Sequence, residues 1–224
     1  YTSAAIIYQY TKRLNPNCQV DYWLHEGKQH GLQDHIDRLM DRNESYDLII
    51  LPDSSSNDAH YHDMLDGINT PCLILDHHLT DVKLSANAIV VNNQLSPHYE
   101  NKELTGAGVV YQFCRYIDEI EGLDWADDYI DLAAWGIVGD MGSMLELENR
   151  YIIKKGFSKG YIKNDFFKCL LNKQAYSITQ KMNATWDDIV AATNPLSVAF
   201  YIVPMVNAMI RIGTMAEKER LFMA

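Results

Sequence analysis

What this sequence lacks narrows its class before any motif is read. Its 224 residues hold no apolar run close to the roughly 20 that cross a bilayer. The longest such stretch, Leu196 to Ile210, is interrupted by Ser197, Pro204 and Asn207. No secretory leader pattern is present, and no membrane role is expected. Cysteine is scarce: Cys18, Cys72, Cys114 and Cys169 lie far apart and form no C-x-x-C pair. Buried free thiols in a reducing compartment, hence a cytoplasmic protein, is the simplest reading. Internal repeats and low-complexity tracts are missing too. Positive charge is short overall, with a net charge of −11, which argues against a generic polyanion binder. Two features soften that exclusion. Carboxylates that bind divalent cations are counted as bare charge. The cations are also uneven: Arg150, Lys154, Lys155, Lys159, Lys163, Lys168 and Lys173 share a segment whose only acid is Asp165.

What is present suits a globular enzyme-sized chain. A hydrophobic share of 47% supports one sizeable core, or one domain plus part of another. The chain opens on Tyr1-Thr2-Ser3-Ala4-Ala5, which reads as the first turn of a helix already under way, as in a fragment of a longer protein.

Strand-like and helix-like patterns alternate up to about residue 93. Ser3 to Leu14 has helical spacing, and Cys18 to Leu24 is a strand candidate. Leu32, Ile36, Leu39 and Met40 mark an amphipathic helix. Apolar runs at 47–52, 71–75 and 87–92 read as strands, with a short helix from Asp58 to Asp66 between the first two. Such runs separated by helices mean βαβ units and a sheet buried on both faces. The second half is helical in pattern. Val109 to Ile120 should bury Val109, Phe113, Tyr116 and Ile120, and further helices are expected over Asp124–Val138 and Glu148–Phe157. Thr185-Trp186-Asp187-Asp188 resembles a capping box. The expected fold class is α/β: a parallel β-sheet of about four to five strands flanked by helices, followed by a mainly helical C-terminal part.

In parallel sheets, ligands bind at the carboxyl ends of the strands. That rule selects Asp53, just after one strand, and Asp76-His77-His78, just after the next. Neighbouring strand ends lie about 5 Å apart, close enough for their side chains to converge. Asp140, in Gly139-Asp140-Met141-Gly142, is the third candidate, because flanking glycines let backbone approach a ligand closely. Each has a plainer reading alone. Asp53 would cap a helix, either histidine would be packed or solvated, and Asp140 would sit in a turn. Together they form a set of hard carboxylate ligands with imidazole, suited to Mn²⁺, Mg²⁺ or a later metal.

These residues carry a family resemblance. The sequence resembles the DHH phosphoesterase superfamily and, within it, the RecJ-type single-strand-specific exonucleases. Asp76-His77-His78 matches the name-giving motif, and Leu51-Pro52-Asp53-Ser54-Ser55-Ser56-Asn57-Asp58 resembles the aspartate motif before it. Leu104-Thr105-Gly106-Ala107-Gly108-Val109 resembles the family's L-[ST]-G-[AC]-G-V segment. Leu132 to Asp140 with Glu148-Asn149-Arg150 resembles its D-L-x-A-x-G-T-[IV]-x-D…E-N-R block. Pro204 to Arg211 resembles P-x-[IL]-N-A-x-G-R. There are departures: Ile137-Val138-Gly139 replaces the Thr-bearing stretch, and Ile210 stands for Gly. The family's first motif, D-x-D-G, normally precedes a segment like Tyr1-Thr2-Ser3; its two aspartates would be further metal ligands, so a fragment starting here is expected to be weak or inactive as an enzyme alone.

The resemblance implies a DHH domain over 1–185 and, over 186–224, the start of a helix region connecting to a second domain. It implies two Mn²⁺ (or Mg²⁺) ions, with Asp53, His77 and Asp140 as metal ligands. Asp76 and His78 would be catalytic, the first supporting the site or orienting a histidine, the second contacting the scissile phosphate. Water activated at the metals would attack phosphorus. Gly106 and Gly108, at a helix N-terminus, would offer backbone N–H groups to phosphate, unless they merely start a helix. Asn207 and Arg211 would hold substrate phosphates; the plainer reading of Arg211 is a surface salt bridge. The implied partner is single-stranded nucleic acid; protein partners are not readable. The lysine-rich segment, with Tyr151, Phe157, Tyr161, Phe166 and Phe167, would suit the same ligand by stacking. Helical spacing favours the alternative, a solvated basic face over packed rings.

The function implied is metal-dependent 5′-to-3′ exonuclease action on single-stranded DNA. One alternative is a DHH phosphodiesterase for short oligoribonucleotides or cyclic dinucleotides, though no GGGH-type motif occurs. The family's inorganic pyrophosphatase would leave the Asn207–Arg211 segment unexplained. A third class is a non-catalytic DHH scaffold that binds DNA or replication proteins, which the retained ligand set argues against.

Overall fold

The apolar runs that end at Pro52, Asp76 and Asn92 pair as parallel strands, because each is short, apolar and nearly uncharged. They are β1 (Ile49–Pro52), β2 (Cys72–Asp76) and β3 (Ala88–Asn92), in the spatial order β1-β2-β3. The register sets Pro52 beside Leu75 and Asp76 beside Asn92, so the carboxyl ends of all three strands are aligned. This computed structural model describes residues 1–27, 31–41, 46–81 and 83–224.

Helices α1 (Thr2–Leu14), α2 (Ile36–Met40) and α3 (Ala59–Asp66) accompany the sheet. The second half comprises α4 (Gly106–Glu121), a 3₁₀ turn at Ala126–Tyr129, α5 (Ile130–Gly139), α6 (Leu147–Gly156), α7 (Asp165–Lys173) and α8 (Ala175–Thr179). It continues with α9 (Trp186–Ala192), α10 (Pro195–Tyr201), α11 (Val203–Ile212) and α12 (Met215–Met223). Several starts are set by local chemistry. Thr185 and Asp188 form the expected capping box on α9, and Asn194–Ser197 and Thr214–Glu217 form two more. Pro195–Ile212 is apolar enough in composition to span a bilayer, with a mean hydropathy of 1.5. In the fold it is not one rod: a turn at Ile202, ahead of Pro204, divides it into α10 and α11.

β2 is buried along its whole length, and strand alternation sends its side chains to two different cores. Leu73 and Leu75 join a large core built from α1, α4, α5, α6 and α7, including Ile6, Tyr10, Val110, Ile130, Ile137 and Phe167. Cys72 and Ile74 join a small one with Leu32, Ile36, Leu39 and Leu65. β2 is thus covered on both faces, but the expectation of a sheet buried throughout fails at β3, where alternate side chains, Ile89 and Val91, are exposed.

Four further expectations need correction. The sheet has three strands among the described residues, rather than four or five. Cys18–Leu24 forms no strand there. Its aromatic residues pack instead: Tyr22 against Phe222 at 4.6 Å between ring centroids, and Trp23 beneath the Arg38 guanidinium. Of the expected stripe of α4, Val109 is buried and Phe113 partly so, but Tyr116 and Ile120 are exposed; Ala107, Val110, Tyr111, Cys114 and Asp118 complete the buried face. Hydropathy undervalues this face because its polar members are satisfied internally: Tyr10 donates to Asp118 and Tyr111 to Asp127. Of the cysteines, Cys72 and Cys114 are buried, but Cys18 and Cys169 are exposed.

Among the described residues, four of the seven cations in the basic segment are paired within the chain. Lys155 pairs with Asp127, Lys159 with Asp187, Lys163 with Asp128 and Lys168 with Asp165. Phe157 and Phe167 are buried, and Trp135 stacks on Phe167 at 5.0 Å. Its charge is largely answered within the chain, and two of its rings are core.

Candidate metal centre at the strand ends

Asp53 leaves β1 through a left-handed turn, with φ of 65°. A non-glycine residue in that region costs on the order of 1 kcal/mol or more, and such strain clusters at functional sites. Its backbone N–H is fixed on Leu75 O at 2.7 Å, so the turn is anchored to β2. The Asp53 carboxylate then lies directly against Gly106 at the start of α4. A Cβ on Gly106 would stand 1.9 Å from Asp53 Oδ1, so only glycine fits. Ser3, buried in α1, donates to the other carboxylate oxygen at 3.2 Å.

His77 and Asp140 complete the convergence. His77 Nε2 lies 3.2 Å from Asp53 Oδ1 and 3.3 Å from Asp140 Oδ2. Asp140 follows directly on α5, and its position depends on a close approach at Gly136. There a Cβ would meet Ala107 Cβ at 2.3 Å and Thr2 Oγ1 at 2.6 Å. Three helices can therefore press together where only one of them lacks a side chain.

Asp76 behaves differently from the other acids. It is only 1% exposed, and both oxygens are occupied. Oδ1 accepts from the His77 N–H at 2.8 Å and the His78 N–H at 3.3 Å, and faces His78 Nδ1 at 2.7 Å; Oδ2 accepts from Ser56 N–H at 3.0 Å. Burial alone would raise the Asp76 carboxyl, but the hydrogen bonds from His78, Ser56 and His77 outweigh it and hold it well below the usual carboxylate range. The same contact raises His78 above the ordinary imidazole value, although burial opposes the shift. Burial pushes Asp53 upward as well, yet the His77 hydrogen bond and nearby positive charge more than offset it and hold that carboxyl low. An imidazole whose Nδ1 faces a buried carboxylate has its orientation fixed, with Nε2 directed away from that partner.

The donor set fits a divalent cation. Carboxylate oxygens of Asp53 and Asp140 each lie within 3.3 Å of one imidazole nitrogen, a set of hard oxygen donors with imidazole. Asp53, Asp76, His77 and His78 also present ligand atoms within 4.8 Å of one another.

Of the other expected residues, Gly106 and Gly108 are buried in the first turn of α4. Gly106 makes room for Asp53, and Gly108 for the Leu104 side chain, which a Cβ would meet at 2.3 Å. Asn207 and Arg211 lie on α11; among the described residues no hydrogen bond or ion pair joins them to the cluster. Sequence reasoning missed Asn92. Register places it beside Asp76, and its Nδ2 donates to Ser56 Oγ and to His78 O, both at 2.9 Å. The signal was available: Asn92 ends a strand, as Asp53 and the triplet nearly do.

A parallel α/β domain with a carboxylate–imidazole cluster at its strand ends that could hold a cation is the class that fold and site define. The chain belongs to the DHH family: its residues 1–137 match the family's N-terminal domain. It is 38% identical, over all of its length, to a Bacillus subtilis (strain 168) protein provisionally named an SPbeta prophage-derived single-strand DNA-specific exonuclease, YorK. It is 28% identical over 189 residues to the single-stranded-DNA-specific exonuclease RecJ of Thermus thermophilus, 84% of this chain and 26% of that protein. The chain spans 36% of the first of these relatives, about a third of its length. Two solved structures share the fold. One, exonuclease RecJ bound to manganese, matches 99% of this chain and 56% of its own, with a TM-score of 0.75 at 24% identity. The other, RecJ from Thermus thermophilus in complex with Mn²⁺, matches 99% of this chain and 29% of its own, with a TM-score of 0.71 at 23% identity.

Proposed function

We propose that this chain carries the metal-binding part of a RecJ-like nuclease that removes nucleotides from single-stranded DNA, 5′ to 3′, in the cytoplasm and away from membranes. The observation that carries the reading is the convergence of Asp53, His77 and Asp140, with buried Asp76 orienting His78 beside them. These relatives' names and manganese-bound structures support the substrate and the metal. In this reading residues 1–185 form the DHH domain, and 186–224 begin the connection to a second domain, where Asn207 and Arg211 hold substrate phosphates.

Asp53, His77 and Asp140 would hold Mn²⁺ or Mg²⁺, two ions in all. When bound, such ions neutralise charge on a phosphoryl group and lower the pKa of water. The remaining work belongs to the chain. Asp53 is pre-set by its strained turn, by Gly106 and by Ser3, so little reorganisation is needed for it to act. Asp76 keeps a proton on His78 Nδ1 and favours the charged ring, so His78 can donate from Nε2 to an oxygen of the scissile phosphate. Gly106 and Gly108 make room for Asp53 and Leu104, and in this reading their backbone N–H groups at the start of α4 also meet substrate phosphate.

Release of nucleotides from 5′-labelled single-stranded DNA with Mn²⁺, compared with a dinucleotide and with pyrophosphate, tests the reading. Activity on the DNA alone, abolished by His77→Ala, is the expected result. Preference for the dinucleotide would move the chain to the phosphodiesterase branch.

A further inference from the structure

The Glu148-Asn149 pair at the start of α6 lies outside the metal cluster, and nothing so far explains it. Asn149 is fully buried, at 0% exposure. Its Nδ2 donates to Glu103 O at 2.9 Å and to Ser143 O at 3.0 Å. Glu103 stands three residues before Gly106, the residue against which Asp53 rests. Ser143 stands three residues after Asp140. One amide therefore joins the two loops that position opposite sides of the cluster. The loops also touch nearer the site: a Cβ on Gly142 would stand 3.0 Å from Thr105 Cγ2.

The amide is itself held in place. Asn149 Oδ1 accepts from Asn101 Nδ2 at 3.0 Å. Neighbouring Glu148 accepts from Tyr99 Oη and Asn101 Nδ2, each at 2.7 Å, and from Gln112 Nε2 at 2.5 Å. Asn93, just after β3, donates to Asn101 O and Leu104 O, both at 3.1 Å, tying the same loop back to the sheet. A buried network with these donors used leaves the loops one arrangement.

We propose that Asn149 is a positioning residue for the metal site: by bridging Glu103 O and Ser143 O it fixes how far Asp140 stands from Asp53, and so tunes cation affinity. This inference rests on the metal-site reading above. Groups that orient metal ligands from outside the coordination sphere typically change affinity by about 10- to 100-fold when removed.

The test is Mn²⁺ titration of the protein, followed by the electron paramagnetic resonance of free Mn²⁺, at a temperature where circular dichroism shows each variant folded. Asn149→Ala should raise the Mn²⁺ dissociation constant by about tenfold or more. A purely structural role would lower the melting temperature and leave the dissociation constant of the folded variant within about twofold; that result overturns the proposal. If Asn149→Ala does not fold, Asn101→Ala decides. It keeps Asn149 but removes the anchor on Oδ1, so a several-fold weakening supports the proposal and an unchanged constant refutes it. His77→Ala is the reference. Should it bind Mn²⁺ as the parent does, the metal-site reading fails; should it alone lose binding, only the role of Asn149 fails.

Discussion

The two cores on either side of β2 differ in what holds them. The helical side is large and is closed by aliphatic and aromatic packing among α1, α4, α5, α6 and α7. The other side rests on a handful of residues from α2, α3 and the sheet. The carboxylate–imidazole cluster belongs to neither. Asp53 and the triplet come from the strand ends, while Asp140 and Gly106 come from the helical half. Its geometry therefore depends on close approaches at Gly106, the seam where Asp53 meets α4, and at Gly136 and Gly142 among the helices that carry Asp140, more than on the amount of apolar area buried nearby. Changes in the core should move stability, and changes at the seam should move the chemistry.

That contrast can be broken most directly at Gly106. Gly106→Ala must displace the Asp53 carboxylate or α4, and should weaken Mn²⁺ binding on the order of 100-fold, read by titration of the folded variant. Unchanged affinity would show that Asp53 has room to spare. Gly156→Ala is the counterpart inside the core, where a Cβ would meet Ile130 O at 2.6 Å and Ala134 Cβ at 2.7 Å. Urea unfolding should show a loss of about 1–3 kcal/mol, with Mn²⁺ affinity unaltered.

Asn92→Ala sits between the two cases. It removes the donors to Ser56 Oγ and His78 O, so stability should fall by about 1–2 kcal/mol and turnover on single-stranded DNA should fall with it. Loss of stability without loss of turnover would place Asn92 with the core. The smallest effect is expected far from the seam. Thr185→Ala removes the capping box of α9 and should cost about 1 kcal/mol by thermal melting, with metal binding intact.

The sequence by itself determined the strand–helix alternation, because continuous apolar runs that end in Pro, Asp or Asn can satisfy burial on both faces in few other ways. It also determined which residue types could bind a cation, and placed Asp53 and Asp76-His77-His78 at strand ends. Spacing alone did not distinguish the jobs of the acids, although the family resemblance implied that Asp76 orients a histidine while Asp53 faces a metal. Asp53 and Asp76 read alike in sequence, yet one is strained toward a common point with His77 while the other is enclosed by four hydrogen-bonding groups; only contacts distant along the chain separate them. The buried stripe of α4 was hidden for a related reason, since Tyr111 and Asp118 are buried through partners that hydropathy cannot see. The glycines show the same division. Their presence was legible from the start, but that Gly106 yields its space to a carboxylate 53 residues earlier in the chain was decided by tertiary structure alone, because steric room is a property of neighbours in space.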